Sequence, residues 1–233
     1  MGTITGTTIL NQAAQVLFDI NGVEWNRLEL LEWLSEGQRR IAFAAPAESR
    51  ALIVFQMVAG PLQHLTTPTG VTPAYDFRQV LAGSCNMGTN GTTRGRALRK
   101  VSRKLLDDFN PNWMTTTPTV AVENFMWDKD LPTQFWVYPP SDGTGYIEME
   151  AAVTPQDLAT ESATITLGDH WQPALVDYIL ARAGEKTTDY SPGMAFSKSH
   201  WEAFAATVEA FAGVRLAYDL DATPAQPRQE ADA

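Results

Sequence analysis

The chain has 233 residues, of which 44% are apolar and 19% charged, and it carries a net charge of -10. That composition supplies enough apolar surface for a packed core and excludes wholesale disorder. So acidic a chain also lacks the dense basic footprint by which a dedicated nucleic-acid binder displaces phosphate counterions. Cys85 is the single cysteine, which excludes an internal disulfide and a thiolate-rich zinc site and fits assembly in a reducing cytoplasm. The opening MGTITGTTILNQ has neither a basic leader nor a long apolar run, and no stretch approaches the roughly 18 apolar residues that span a bilayer. A soluble protein that is not exported is expected.

In chain order, Ile9, Ala13, Val16, Leu17 and Ile20 recur at helical spacing and predict a helix from about Thr8 to Phe18, stopped by Asn21-Gly22. A second helix is predicted from Leu28 to about Ala44. Asn26 caps it, Glu29 closes a capping box, Pro46 marks its end, and Leu30, Leu31, Leu34, Ile41 and Ala42 form its stripe with Trp33 on a flank. The run ALIVFQMV at 51–58 is apolar on both alternating faces and reads as a strand buried on both sides. An irregular polar loop is expected from there to about Ala74.

Residues 82–95, AGSCNMGTNGTTRG, are rich in Gly, Ser and Thr and read as a mobile loop, or a surface ordered only by a neighbour, outside any core. From Arg94 to Phe109 the pattern turns helical, with Leu98, Val101, Leu105 and Leu106 or Phe109 opposed to a basic face. QFWVYPP at Gln134–Pro140 and YIEMEAAV at Tyr146–Val153 then read as a hairpin closed over Ser141-Asp142-Gly143, with Ile147, Met149, Ala151 and Val153 facing inward. TITL at Thr164–Leu167 is a candidate last strand. Asp169 caps a helix continued by Leu175, Tyr178, Ile179 and Arg182, and Gly184 weakens its end. Ser191-Pro192 starts a final helix with Trp201, Phe204, Val208 and Phe211 on one stripe.

The order of helices, β-rich middle and helices predicts an α+β fold: a mainly helical bundle of the N- and C-terminal helices (8–45 and 169–218) with a β-rich lobe (51–167) inserted. Residues 1–218 are expected to form one domain. From Asp219 to Ala233 the polar, Pro-containing DLDATPAQPRQEADA is expected to extend from it as a tail.

No convergent set of catalytic or metal-ligating groups is legible. His64, His170 and His200 are far apart without metal spacing, and each reads as structural. Cys85 reads as a surface or half-buried thiol, with no basic neighbour or helix start positioned to activate it. GTNGTTRGR lacks the G-x-x-x-x-G-K-[ST] pattern of a phosphate loop and no buried strand is expected to lead into it. Asp107, Asp108, Asp128 and Asp130 lack the spacing of a calcium loop and read as solvated or paired carboxylates. No cofactor is implied. The clearest anomaly is charge: Arg94, Arg96, Arg99, Lys100, Arg103 and Lys104 place six of the 17 basic residues within eleven positions. A solvated helix face, a seam against acidic surface of a neighbouring subunit and DNA contact are the three readings open. Seven tryptophans are more than one core needs, so some are expected to be interface anchors.

Several of these segments together carry a resemblance: Trp25 with ELLEWLSEGQRRIA at Glu29–Ala42, RALRKVSRKLLDDFNPNW at Arg96–Trp113, LPTQFWVYPP at Leu131–Pro140, WQPALVDYILARA at Trp171–Ala183 and SKSHWEAF at Ser197–Phe204. In their order and spacing the chain resembles the head-to-tail adaptor proteins of tailed bacteriophages, the group related to the tail tubular protein A of short-tailed phages. The resemblance implies a structural virion protein rather than an enzyme. It implies a dodecameric ring in the neck, assembled in the host cytoplasm and stacked between the portal protein and a tail or nozzle protein, with DNA passing through its lumen. Another neck or tail-completion (stopper) protein is the alternative, and an enzyme using the Gly-rich loop a more distant one. The 83–95 loop is longer than the family leads one to expect. Within that frame Arg96, Arg99, Lys100, Arg103 and Lys104 are the subunit-seam candidates, and Tyr218, Asp219, Leu220, Pro224 and Pro227 of the tail are the portal-binding candidates.

Overall fold

In the computed structural model, residues 2–68, 70–71, 74–128, 130–186 and 191–218 are described. The elements in chain order are α1 (Gly6–Val16), α2 (Arg27–Ala44), β1 (Arg50–Gln56), β2 (Gly60–His64), β3 (Phe77–Asn86), β4 (Arg99–Lys100), α3 (Arg103–Phe109), β5 (Asn124–Trp127), β6 (Gln134–Ser141), β7 (Tyr146–Val153), α4 (Gln172–Lys186) and α5 (Ser191–Tyr218). The fold is α+β, as expected, with helices from both ends of the chain sharing one core.

That core joins Ile9, Leu10 and Ala13 of α1, Leu30, Leu34 and Ile41 of α2, Leu175, Tyr178 and Ile179 of α4, and Phe204 and Val208 of α5. The stripe of α2 is buried as predicted, and Asn26 Oδ1 accepts the Leu28 N–H at 2.9 Å. The expected capping box is not made, because the Glu29 carboxylate instead takes Lys186 Nζ of α4 at 2.6 Å. The stripe of α1 is rotated from the expected one. The helix stops at Val16, and Phe18 turns left-handed (φ 55°), so Val16 and Ile20 lie on the surface while Leu10 and Ala14 face inward. Asp169 does not cap its own helix; its carboxylate accepts Thr3 Oγ1, Thr3 N and Ile4 N and ties down the segment that precedes α1.

The β-lobe is a sandwich of two sheets. One has the order β1-β7-β3 and the other β2-β6-β5-β4, all antiparallel except β4 on β5. Ile53, Phe55, Val80, Ile147 and Met149 from the first sheet meet Phe125, Phe135 and Val137 from the second, and the rings of Phe55 and Phe135 cross edge to face at 6.2 Å. Strands β6 and β7 therefore do not pair as the expected hairpin: the turn at 141–145 carries the chain from one sheet to the other. Nor is β1 buried on both sides, since Ile53 and Phe55 point inward while Leu52 is exposed. Strand β6 is covered on both faces, as is β7. Phe135 and Val137 enter the sandwich, and Trp136 packs with Trp113 and Met126 beneath α3. The expected loop before Ala74 contains β2.

Two more expectations are corrected. Residues 77–86 form β3, and Gly83 is required there because a Cβ would stand 2.8 Å from the Phe125 ring of the opposite sheet. Residues 164–167 make only a single bridge, Thr164 to Thr5, while Ile165 and Leu167 are buried in the helical core. No described helix is long and apolar enough to cross a membrane.

Candidate functional site

The basic cluster is not one helix face. β3 turns back on itself through the Gly-rich segment: Asn86 N donates to Arg96 O at 2.9 Å and Leu98 N to Ser84 O at 3.0 Å. Asn90 Oδ1 accepts the N–H groups of Thr92 and Thr93, so the 88–94 tip is an ordered turn rather than a loose loop. A partly buried strand thus does lead into GTNGTTRGR. Arg96 lies on the returning arm, Arg99 and Lys100 form β4, and only Arg103 and Lys104 sit on the seven-residue α3. Burial of Leu98 in the sandwich is what breaks the helical pattern, while Leu105 and Phe109, expected on an inner face, are exposed.

Those cations divide by partner. Arg94 lies 3.7 Å from Glu148, Arg96 2.7 Å from Glu123 and Arg103 3.7 Å from Asp107. Arg99, Lys100 and Lys104 have no carboxylate within ion-pair distance among the described residues. Lys100 Nζ stands 5.8 Å from the Trp127 ring and the Arg103 guanidinium 4.5 Å from that of Trp136. Together with Lys104 they line a groove of about 520 Å³. Its open charge and aromatic walls suit an acidic surface. The structure gathers Arg99, Lys100, Arg103 and Lys104 at one edge of the β2-β6-β5-β4 sheet. Of the tail candidates, Tyr218 is the last residue of α5, and Asp219, Leu220, Pro224 and Pro227 lie outside the described residues.

A second surface was not legible in the sequence. At the corner between α1 and α2, Phe18 is 95% exposed, Val23 85%, Ile20 71% and Leu28 66%. The corner is nevertheless rigid. The Asp19 carboxylate accepts the N–H groups of Val23, Glu24 and Trp25 at 2.8, 2.9 and 2.9 Å, and Trp25 is buried in the helical core. The hydrogen bonds from Trp25 and Val23 hold the Asp19 carboxyl below the usual carboxylate range. Beside it the Arg27 guanidinium grips Glu161 through Nε at 3.1 and 3.2 Å and depresses its pKa in turn. Of the tryptophans, Trp25, Trp113, Trp136 and Trp171 are buried and Trp33, Trp127 and Trp201 half-buried.

The histidines have packing partners. His170 clusters with Trp171 and Phe211, its ring tilted against both, with Glu48 3.4 Å from Nε2, and His200 Nδ1 lies 2.8 Å from Asp177 with its ring against Phe196. Cys85, expected near the surface, is buried; its Sγ lies 3.7 Å from Glu148 Oε1, which also accepts Ser84 Oγ at 2.6 Å. Asp107 accepts Trp113 Nε1 at 2.6 Å. Among the described residues no three His, Cys, Asp or Glu side chains gather as metal ligands.

The chain matches the family model described as SU10 adaptor protein over residues 4–228. No curated protein matches it.

Proposed function

The chain belongs to the SU10 adaptor protein family, and from that premise we propose that it is a structural adaptor of a tailed bacteriophage, akin to tail tubular protein A, that joins the portal to the tail. The match over residues 4–228 carries this reading, because it spans the helical core and the β-lobe alike. Copies of the chain assemble as a dodecameric ring in the virion neck, formed in the host cytoplasm, with DNA passing through its lumen unbound by sequence. Residues 1–218 act as one adaptor domain, and 219–233 is an extended tail that orders on the portal through Tyr218, Asp219, Leu220, Pro224 and Pro227. A tail or nozzle protein occupies the opposite side. The unpaired cations Arg99, Lys100 and Lys104, with Arg96 and Arg103, form the subunit seam, where an acidic neighbour aligns them. A chain of net charge -10 supplies such surface from its own copies.

Native mass spectrometry of the chain, alone and mixed with the portal protein of the same phage, tests the ring. A homo-oligomer in at least one condition is expected, and monomer in both overturns the reading. Deleting Asp219–Ala233 should abolish or weaken portal attachment while leaving the fold intact, and unchanged attachment would remove the tail from the portal contact.

A further inference from the structure

The two ends of α2 carry complementary surfaces. At its start stands the apolar corner, which bears Glu24 and the Asp19 carboxylate already held by the N–H groups of Val23, Glu24 and Trp25, while the nearby Arg27 is paired with Glu161. Phe18 is the only described non-glycine residue with positive φ. A bulky side chain in that region is a backbone outlier. Its ring is nonetheless 95% exposed, so the conformation is not repaid by packing within the chain.

At the far end of the helix lies a groove of about 530 Å³ lined by Glu36, Arg39, Arg40, Phe43 and Arg78 among others. Of its three guanidiniums, Arg39 pairs with Asp157 and Arg40 with Glu36. Phe43 is 71% exposed, and the Arg78 guanidinium lies 4.4 Å from its ring centroid without a carboxylate partner among the described residues. Eighteen helical residues at 1.5 Å each hold corner and groove about 27 Å apart on one rigid axis. They cannot meet within one molecule.

We propose that the α1–α2 corner of one copy seats in the groove at the end of α2 of the next copy, Phe18 stacking on the Arg78 guanidinium that already lies on Phe43, and Glu24 facing the groove arginines. This rests on the proposed homo-oligomer and names a contact surface for it. The match is one of charge and of aromatic contact: an apolar corner bearing Glu24 against a surface where Arg78 lies on Phe43 without a carboxylate partner among the described residues. Because the two surfaces differ, the contact is head to tail, the kind that closes into a ring when its rotation allows.

Cysteine cross-linking with a bismaleimide tests it, since a guanidinium between the two rings keeps their Cβ atoms beyond the roughly 4 Å that a direct disulfide needs. Phe18→Cys and Phe43→Cys are placed in a Cys85→Ala background, on the full chain alone and with portal protein. The double variant should give a ladder of cross-linked species on a denaturing gel, and a mixture of the two single variants should give a dimer. Phe18→Cys alone cross-linking to itself would mean a two-fold contact and overturn the proposal, as would its capture by the portal protein. Oligomer without any Phe18–Phe43 cross-link also overturns it while leaving the ring standing, whereas monomer throughout removes both. If the cysteine variants do not fold, charge reversal replaces them. Glu24→Arg and Arg78→Glu should each weaken assembly about tenfold and recover together, since close interfacial charge pairs are coupled; independent effects would refute the pairing.

Discussion

Replacing Phe18 by Gly separates folding from assembly. In the free subunit the ring is 95% exposed, so its removal forfeits almost no burial. The left-handed backbone costs an L-residue about 1–2 kcal/mol, which Gly avoids. Against this, Gly loses about 0.5–1 kcal/mol more chain entropy on folding. The monomer should therefore become more stable by about 0.5–1 kcal/mol. In the proposed contact the same ring is covered, and covering a Phe side chain contributes about 1.5–3 kcal/mol, so association should weaken by about 2 kcal/mol, roughly thirtyfold. Urea unfolding at dilutions where the chain is monomeric reads the first quantity, with the midpoint raised and the slope unchanged. Sedimentation velocity across a concentration series reads the second. A destabilised monomer would show that the ring packs within the chain, and an unaltered association constant would remove Phe18 from any interface between copies.

Acid should loosen both the corner and the segment that precedes α1. Asp19, Glu161 and Asp169 all have folded pKa values below their ordinary 3.8, 4.5 and 3.8. Their support is complete above about pH 4.5 and is lost as the pH falls through the folded values. Stability measured against pH should drop below that point, and Asp169→Asn should flatten part of the drop; a wild-type profile level down to pH 3 would contradict it. Gly83→Ala should cost about 1–3 kcal/mol by overpacking against Phe125, read as a lower thermal midpoint; an unchanged midpoint would mean that the two sheets can part there. Arg99→Glu with Lys104→Glu should shift the oligomer towards monomer in sedimentation, and no shift would take these residues out of the seam.

The helical half of the fold was legible because its apolar stripes repeat at a period that only a helix satisfies, as Leu30, Leu31, Leu34, Ile41 and Ala42 do on α2. The β-lobe was less so, because its pairing is non-local. Nothing in YIEMEAAV says that its partners are Arg50–Gln56 and Phe77–Asn86 rather than the adjacent Gln134–Ser141. β3 was hidden by its polarity. Asn86 is buried, yet its amide donates to Arg96 O and Val122 O and accepts Val122 N, so the polar group is satisfied internally. The basic run looked helical because Leu98, Val101 and Leu105 are spaced for a helix, but they serve different surroundings: the sandwich, the packing around Trp113, and solvent. The apolar corner could not be seen at all, since Phe18, Ile20 and Val23 have ordinary core composition and only the end of α1 at Val16 leaves them outside.

The polar side of α2 explains how two surfaces at its ends can act as one device. Ser35 and Gln38 would ordinarily face water, but both are buried under the segment that returns from β7 to α4. Leu158 N donates to Ser35 Oγ at 3.1 Å and Thr166 N to Gln38 Oε1 at 2.8 Å, while Arg27 holds Glu161 and Arg39 holds Asp157. The returning segment is thus fastened to α2 at points from Arg27 to Arg39. Arg27 borders the apolar corner and Arg39 lines the groove, so the same fastening reaches both. A helix clamped along its length transmits no bend between its ends. In the proposed oligomer each copy therefore adds to the last at one fixed rotation, which is the geometric condition for a head-to-tail contact to close rather than to run on as an irregular chain.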